Sequence, residues 1–192
     1  AVAEATKQAF LLRDRHVADP RHMVIRPESL LAPDLLDDLS LRMSPDSALA
    51  WPPGSTPSLP GGGDTVWFGV ADAEGNMVSC IQSIYHEFGA GLVLPRSGVV
   101  WHNRGLGFTF APGLPNSLAP EKKPFHTLNP ACARLDDGRS MIYGTMGGEG
   151  QPQTQAALFA RALLLNRPLQ EAINAPRWLL GRSWGEQSTS LK

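Results

Sequence analysis

The 192-residue sequence has few of the residues that mark metal-binding, redox or disulfide-rich proteins. Its two cysteines, Cys80 and Cys132, lie in separate apolar runs and form no CxxC motif. Its five histidines form no HExxH motif and show no close ligand spacing. We therefore expect two buried thiols, no metal site and no other cofactor.

An excess of charge of one sign and long hydrophobic runs are also lacking. Seventeen Lys and Arg residues face eighteen Asp and Glu residues, which gives a formal net charge of -1. Binding to nucleic acid relies on clustered basic residues that displace counterions. The apolar run 156–165 is far shorter than the roughly 20 residues of a membrane-spanning helix, and it contains Arg161. The composition therefore predicts neither a nucleic-acid partner nor a membrane partner.

Glycine and proline are abundant, with 19 and 17 residues, so many turns are expected. Segment 44–63 has almost no periodic apolar face and is predicted to be an exposed loop or linker. Helices are predicted at 1–17, at 29–42 with Ser29 as N-cap, and, in amphipathic form, at 153–165, followed by a short helix at 169–174. Strands are predicted at 65–71, 77–85, 99–103, 131–135 and 140–145. This order predicts an α+β fold rather than repeated βαβ units.

The junction Gly61–Thr65 joins the predicted linker directly to a strand whose first residue carries a hydroxyl group. A threonine is a weak nucleophile unless a base lies beside it. Cleavage of the chain before Thr65 would supply its own α-amine, whose pKa of about 7.7–8.0 suits proton transfer near neutrality. On this junction alone, an ordinary linker followed by an ordinary strand is the simpler interpretation.

The wider pattern changes that interpretation. From Thr65 onward, the sequence resembles the small subunit of the γ-glutamyltranspeptidase family of N-terminal nucleophile hydrolases, and the residues before it resemble the end of that family's large subunit. The matching positions are Ala3–Ala5, Arg13–Arg15, Asp19–Pro20, Thr65, Asp72–Asn76, Phe88–Gly91, Asn103, Lys123–Pro130, Gly144–Gly148 and Asn174–Arg177.

This resemblance implies a four-layer αββα sandwich, of which the chain would form only a part. Residues 1–64 would be the C-terminal part of the large subunit, with 44–64 as its linker. Residues 65–192 would be a small subunit that is incomplete at its C-terminus. The zymogen would cleave itself at the Asp64–Thr65 bond. Because the sequence begins at Ala1 without a start methionine, we expect its native N-terminus to lie further upstream. A cytoplasmic location is a separate expectation.

The resemblance also assigns roles to individual residues. Thr65 matches the nucleophile, and Ser83 matches a second hydroxyl residue that hydrogen-bonds it. Gly147 and Gly148 match a glycine pair whose backbone amides bind the oxyanion. Glycine suits such a site because no side chain hinders the approach of a carbonyl oxygen.

Five positions depart from the transpeptidase pattern, and all of them except Gly107 are expected to contact the substrate. Arg104 replaces a glutamine, and Gly107 replaces an aspartate that grips the substrate's α-ammonium group. His126 and Thr127 stand where transpeptidases have two serines, and Tyr85 stands in place of an asparagine. An arginine favours a carboxylate, which its planar guanidinium binds with two hydrogen bonds. A solvated loop position for Arg104 is the alternative.

In the runs Thr65–Val70 and Ile81–Phe88, the sequence is most similar to the oxamate amidohydrolase branch of the family. This similarity implies hydrolysis of oxamate to oxalate and ammonia. One alternative keeps the mechanism but changes the substrate. The enzyme would then be a γ-glutamyl hydrolase or transpeptidase, or a glutaryl-type β-lactam acylase. The other alternative is an inactive structural homologue whose precursor is never cleaved. The expected partners are a small-molecule amide and the rest of the precursor's large subunit, and homo-oligomerisation is left open.

Overall fold

A computed structural model describes residues 1–50, 65–181 and 190–191. They form two compact units, one with residues 1–50 and 104–126, the other with residues 65–103, 127–181 and 190–191. No helix in these ranges is long and apolar enough to cross a membrane. The helices are α1 (Val2–His16), α2 (Pro33–Leu41), α3 (Gly150–Phe159) and α4 (Leu169–Asn174), and the strands are β1 (Thr65–Ala71), β2 (Met77–Ser83), β3 (Ala131–Arg134), β4 (Ser140–Tyr143), β5 (Leu180–Gly181) and β6 (Ser190–Leu191).

The first unit is built around α1, which forms as predicted but buries a different face. Its buried side chains include the polar residues Lys7 and Gln8. Lys7 Nζ donates to a Glu4 carboxylate oxygen at 2.9 Å and to the Leu49 carbonyl at 2.7 Å, and Gln8 donates to the Leu39 carbonyl at 2.7 Å. Burial of these polar groups is tolerated because each has a partner. The apolar face of α1 instead lines a cavity of about 360 Å³ that α2 also borders.

The helix predicted at 29–42 is interrupted, so Ser29 is not an N-cap. Its hydroxyl donates to the Arg26 carbonyl at 2.6 Å within a 3-10 turn, Pro27–Leu31. Ala32 is extended, with ψ of 133°, because a following proline disfavours the helical conformation. Helix α2 then starts at Pro33, where a missing N–H costs nothing.

Asp19 holds segment 121–123 onto the first unit. Its carboxylate accepts hydrogen bonds from the Arg21 side chain, the Arg21 backbone and the Lys123 N–H. The Arg21 guanidinium, followed by the two backbone donors, holds the pKa of this carboxyl far below its usual range. Asp19 therefore remains ionised at any pH near neutrality.

The second unit contains two antiparallel hairpins. Strands β1 and β2 pair from Thr65↔Ser83 to Ala71↔Met77, and β3 pairs with β4. Asp72 accepts from the Asn76 N–H at 2.8 Å, and Gly75 adopts a φ of +86°, so local chemistry makes the first turn. Helices combined with small antiparallel sheets match the predicted α+β class, while the four-layer sandwich stays a prediction.

Several predicted strands are shorter than expected. β2 ends at Ser83 instead of residue 85, and β3 and β4 end at Arg134 and Tyr143. The strand predicted at 99–103 is wrong, because only an isolated bridge, Val93↔Val100, forms there. Strand propensity reflects a half-buried surface, whereas Val99, Val100 and Trp101 are all exposed.

Neither cysteine is fully buried, contrary to expectation. Cys80 is half-buried on β2 and Cys132 is exposed on β3. Side chains alternate between the two faces of a strand, and Cys132 occupies the exposed face of its hairpin, as Arg134 does.

Helix α3 begins earlier than predicted and is not amphipathic in the expected sense. It starts at Gly150 and continues into a π-helical turn, Ala160–Leu164. Its buried side chains include Gln151, Gln153 and Gln155. Gln153 Oε1 accepts from the Leu180 N–H at 2.7 Å, and its Nε2 donates to the Leu180 carbonyl at 3.1 Å. The carboxamide thus bonds to both backbone groups of Leu180, whose strand β5 also pairs with β6.

We expect Gln153→Met to destabilise the protein by about 2–4 kcal/mol, because the Leu180 N–H and carbonyl would both be buried without a partner. Thermal unfolding followed by circular dichroism measures the loss. Gln170→Met is the matched control, since Gln170 is exposed and its carboxamide donates to Asn174 Oδ1 at 3.0 Å. Equal shifts in the two variants would contradict a special role for Gln153.

Candidate active site

The hydroxyl groups of Thr65 and Ser83 lie side by side at the open end of the β1–β2 hairpin. The two residues are directly paired across the strands, and opposite residues of an antiparallel pair share one face. Thr65 Oγ1 donates to Ser83 Oγ at 2.9 Å, and the Tyr85 N–H donates to the same oxygen at 2.9 Å. Both side chains are half-buried. Hairpin register therefore brings the predicted nucleophile and the second hydroxyl together.

The loop after β2 is held in an unusual conformation at Tyr85. Its φ of +80° lies in the left-handed region, which costs a bulky residue on the order of 1–3 kcal/mol. The Tyr85 ring stacks on His86, with ring centroids 4.3 Å apart. The His86 N–H donates to Asn103 Oδ1 at 3.1 Å, and the Asn103 N–H donates to the Ile84 carbonyl at 3.3 Å. These contacts fix the conformation that directs the Tyr85 N–H at Ser83.

Gly147 and Gly148 form the turn between β4 and α3. Their φ values are +113° and +52°, and a Cβ at either position would meet no atom within 4 Å. Glycine is therefore favoured by the backbone conformation, and open space lies beside the turn. The carbonyls of Gly147 and Gly148 accept from the N–H groups of Gly150 and Gln151, at 2.8 and 3.1 Å. In a trans peptide the N–H points opposite to the carbonyl, so the Gly148 N–H is directed away from the first turn of α3.

Two glutamines of α3 fix the segment that contains Thr127. Gln151 Oε1 accepts from the Asn129 N–H at 3.1 Å, and Gln155 Nε2 donates to the Asn129 carbonyl at 2.8 Å. Residues four apart share one face of a helix. Asn129 Nδ2 in turn donates to the carbonyl of Thr127, which is buried. Thr127 is thereby connected to the helix that follows the glycine turn.

Arg104 and His126 belong to the first unit. Arg104 is only 6% exposed and begins a 3-10 turn, Arg104–Gly107, so the solvated-loop alternative is wrong. Partial burial, and then the positive charge of Arg104, lower the pKa of His126. His126 is therefore neutral at pH 7, which leaves it able to accept a hydrogen bond.

Asp64, and with it the predicted Asp64–Thr65 cleavage site, lies outside the described residues, as does the part of the linker at 51–63. No group of three His, Cys, Asp or Glu side chains suited to a metal ion occurs within the described ranges.

Sequence reasoning missed the contribution of the α3 glutamines. The signal is the pattern Gln151-x-Gln153-x-Gln155, which places two carboxamides four residues apart. Only the fold shows that their partners are backbone groups of Asn129 and Leu180.

Over almost its whole length, the chain is similar to known proteins. The sequence model of the family described as Gamma-glutamyltranspeptidase matches residues 1–191. The whole chain is 58% identical over 191 residues to the oxamate amidohydrolase proenzyme of Klebsiella pneumoniae, covering 35% of that protein. It is 41% identical over 195 residues to the glutathione hydrolase-like YwrD proenzyme of Bacillus subtilis, again covering 35% of it.

A solved structure shares the fold. The cephalosporin acylase of Bacillus halodurans is 34% identical, with a TM-score of 0.78 over 92% of this chain and 31% of its own. The chain thus spans about one third of the length of these relatives. Because the family model covers almost every residue, this chain belongs to the gamma-glutamyltranspeptidase family.

Proposed function

We propose that the whole protein is an autoprocessing amidohydrolase that uses Thr65 as an N-terminal nucleophile on a small carboxylate-bearing amide such as oxamate. The observation that carries the proposal is the 2.9 Å contact between the Thr65 and Ser83 hydroxyls at the start of β1. The 58% identity to a protein named as an oxamate amidohydrolase proenzyme supports this substrate class.

The mechanism would begin with cleavage of the Asp64–Thr65 bond, which frees the α-amine of Thr65. The Thr65 oxygen then attacks the amide carbonyl carbon, and its proton passes to that amine. N–H groups at the Gly147–Gly148 turn would stabilise the negative oxygen of the tetrahedral intermediate. Collapse releases ammonia, with the proton returned from the amine, and water then hydrolyses the ester to oxalate.

Substrate selection is assigned to Arg104, Tyr85, His126 and Thr127. A buried guanidinium retains its charge at every physiological pH and favours a carboxylate as its counter-charge. Residues 1–64 and 65–192 would belong to the large and small subunits of the mature enzyme, within an αββα sandwich. A cytoplasmic location completes the proposal.

Two observations favour the alternative of a different amide substrate. The chain is similar to a protein named as glutathione hydrolase-like and to a cephalosporin acylase. The test measures ammonia release from oxamate and p-nitroaniline release from a γ-glutamyl anilide, with the full-length protein. Turnover of oxamate alone supports the proposal. Turnover of the anilide alone would mean that the substrate is a γ-glutamyl amide and not oxamate.

Intact mass and a denaturing gel of the same preparation test autoprocessing. Two fragments that separate at the Asp64–Thr65 bond are expected. A precursor that remains uncleaved and turns over neither substrate would support the inactive-homologue alternative.

Ser83→Ala should retain the fold and lower kcat about twofold to tenfold, since a hydrogen bond worth roughly 0.5–1.5 kcal/mol is lost. Steady-state kinetics on oxamate measure the change. Ser140→Ala, on an exposed part of β4, is the control and should leave kcat unchanged. Equal kinetics and equal processing in the two variants would reduce Ser83 to an ordinary strand residue.

A further inference from the structure

The side chain of Trp67 connects two strands. One is β1, which contains Thr65, and the other is β4, which precedes the Gly147–Gly148 turn. Thr65 and Trp67 are two residues apart on β1, so their side chains lie on the same face. The Trp67 indole covers Gly144, the residue after β4, so closely that a Cβ on Gly144 would overlap the ring at Cδ1 and Nε1. Because the indole fills the space beside Gly144, only glycine fits at this position.

A hydrogen-bond chain fixes the orientation of this indole. Trp67 Nε1–H donates to Ser79 Oγ on β2 at 3.0 Å. The Ser79 hydroxyl in turn donates to the Tyr143 carbonyl, at the end of β4, at 3.3 Å. The chain links β1, β2 and β4 at the level of Gly144. The contact of the indole with Gly144 and these two hydrogen bonds thus set the distance between the β1–β2 and β3–β4 hairpins near Gly144.

We propose that Trp67 is a positioning residue that sets the distance between the Thr65 hydroxyl and the N–H groups of the Gly147–Gly148 turn. This inference rests on the proposed function. Along the backbone, Thr65 lies about 7 Å from Trp67, and Gly147 at most about 10 Å from Gly144. A displacement at the indole is therefore passed to both groups over only two or three residues.

The expected kinetic signature is a fall in kcat at nearly constant KM. The nucleophile and the oxyanion donors must be aligned in the transition state, and a misplacement of about 1 Å can cost about a hundredfold in rate. Neither group is needed to hold the ground-state substrate, so KM is spared. A residue with a purely structural role would instead lower thermal stability without this split.

The test compares Gly144→Ala in two backgrounds of the full-length enzyme. With Trp67 present, the added methyl group displaces the indole, and kcat on oxamate should fall about tenfold or more while KM stays within about twofold. In a Trp67→Ala background, the clash is removed, so adding Gly144→Ala should lower kcat by less than about twofold. Gly105→Ala is the matched control, because its methyl group would meet no atom within 4 Å.

A conservative pair covers the case in which Trp67→Ala does not fold. Trp67→Phe and Ser79→Ala each remove the Nε1–Oγ hydrogen bond but keep the ring over Gly144. Each should lower kcat about twofold to tenfold, and the double variant should lose no more than either one alone. Thermal midpoints are measured for all variants.

Three results would overturn the proposal. They are a Gly144→Ala loss below about twofold, equal losses in both backgrounds, and a rise in KM at unchanged kcat. Failure of the proposed function is recognised separately, because the unmutated enzyme would then turn over neither oxamate nor the γ-glutamyl anilide. That outcome would overturn the positioning role as well.

Discussion

Thr65→Ala should abolish both precursor cleavage and amidase activity while the fold is retained. The change removes the one oxygen that would attack the carbonyl carbon in both reactions. It leaves the backbone of β1 intact, and the lost side chain is only half-buried. Intact mass reports cleavage, ammonia release from oxamate reports turnover, and circular dichroism reports the fold.

Thr65→Ser is the matched control for this prediction. It keeps the hydroxyl that approaches Ser83 and removes only the methyl group, so processing and some turnover should persist. Mature-size fragments in the alanine variant would show that a different residue performs the cleavage. The assignment of Thr65 would then fail.

Arg104→Gln should raise KM for oxamate so that kcat/KM falls about tenfold to hundredfold. A hydrogen bond to a charged group contributes about 1.5–3 kcal/mol, and the buried guanidinium would lose a bidentate contact to the substrate carboxylate. A neutral amide of similar size should be spared, since it never used this charge. Arg104→Lys should recover only part of the loss, because a point charge does not reproduce the planar fork.

Steady-state kinetics on oxamate, a neutral amide and a γ-glutamyl amide measure this selectivity, with the thermal midpoint as a control for folding. Equal losses on all three would mean that Arg104 supports the loop instead of the substrate. Restoring an aspartate at Gly107 is not a suitable companion change. A Cβ there would lie 2.7 Å from the Phe125 carbonyl oxygen, so the backbone would have to shift.

The family could be predicted from the sequence because several motifs occur in order at the family's spacing. The family match over residues 1–191 confirms that prediction. The roles of Thr65, Ser83, Gly147 and Gly148 remain proposals, and the structure adds a geometry consistent with them. Predictions failed where they assumed that apolar patterns alone select the buried face, as in α3.

The sequence by itself determined the features that depend on near neighbours. The β1–β2 hairpin follows from strand-forming residues around the Asp72–Gly75 turn, and its register brings Thr65 opposite Ser83. The φ values at Gly75 and Gly138 likewise belong to local turns.

Only the tertiary structure decided which distant groups meet. The indole of Trp67 lies on Gly144, which is 77 positions later in the chain, and Gln153 binds the backbone of Leu180. Arg104 is likewise buried, although no local pattern in the sequence indicates this. The physical reason is that any suitable group that the fold brings close can hydrogen-bond a buried polar group. In the same way, any side chain that the fold brings close can fill the space beside a glycine. Backbone partners of this kind leave no signature in the order of the side chains.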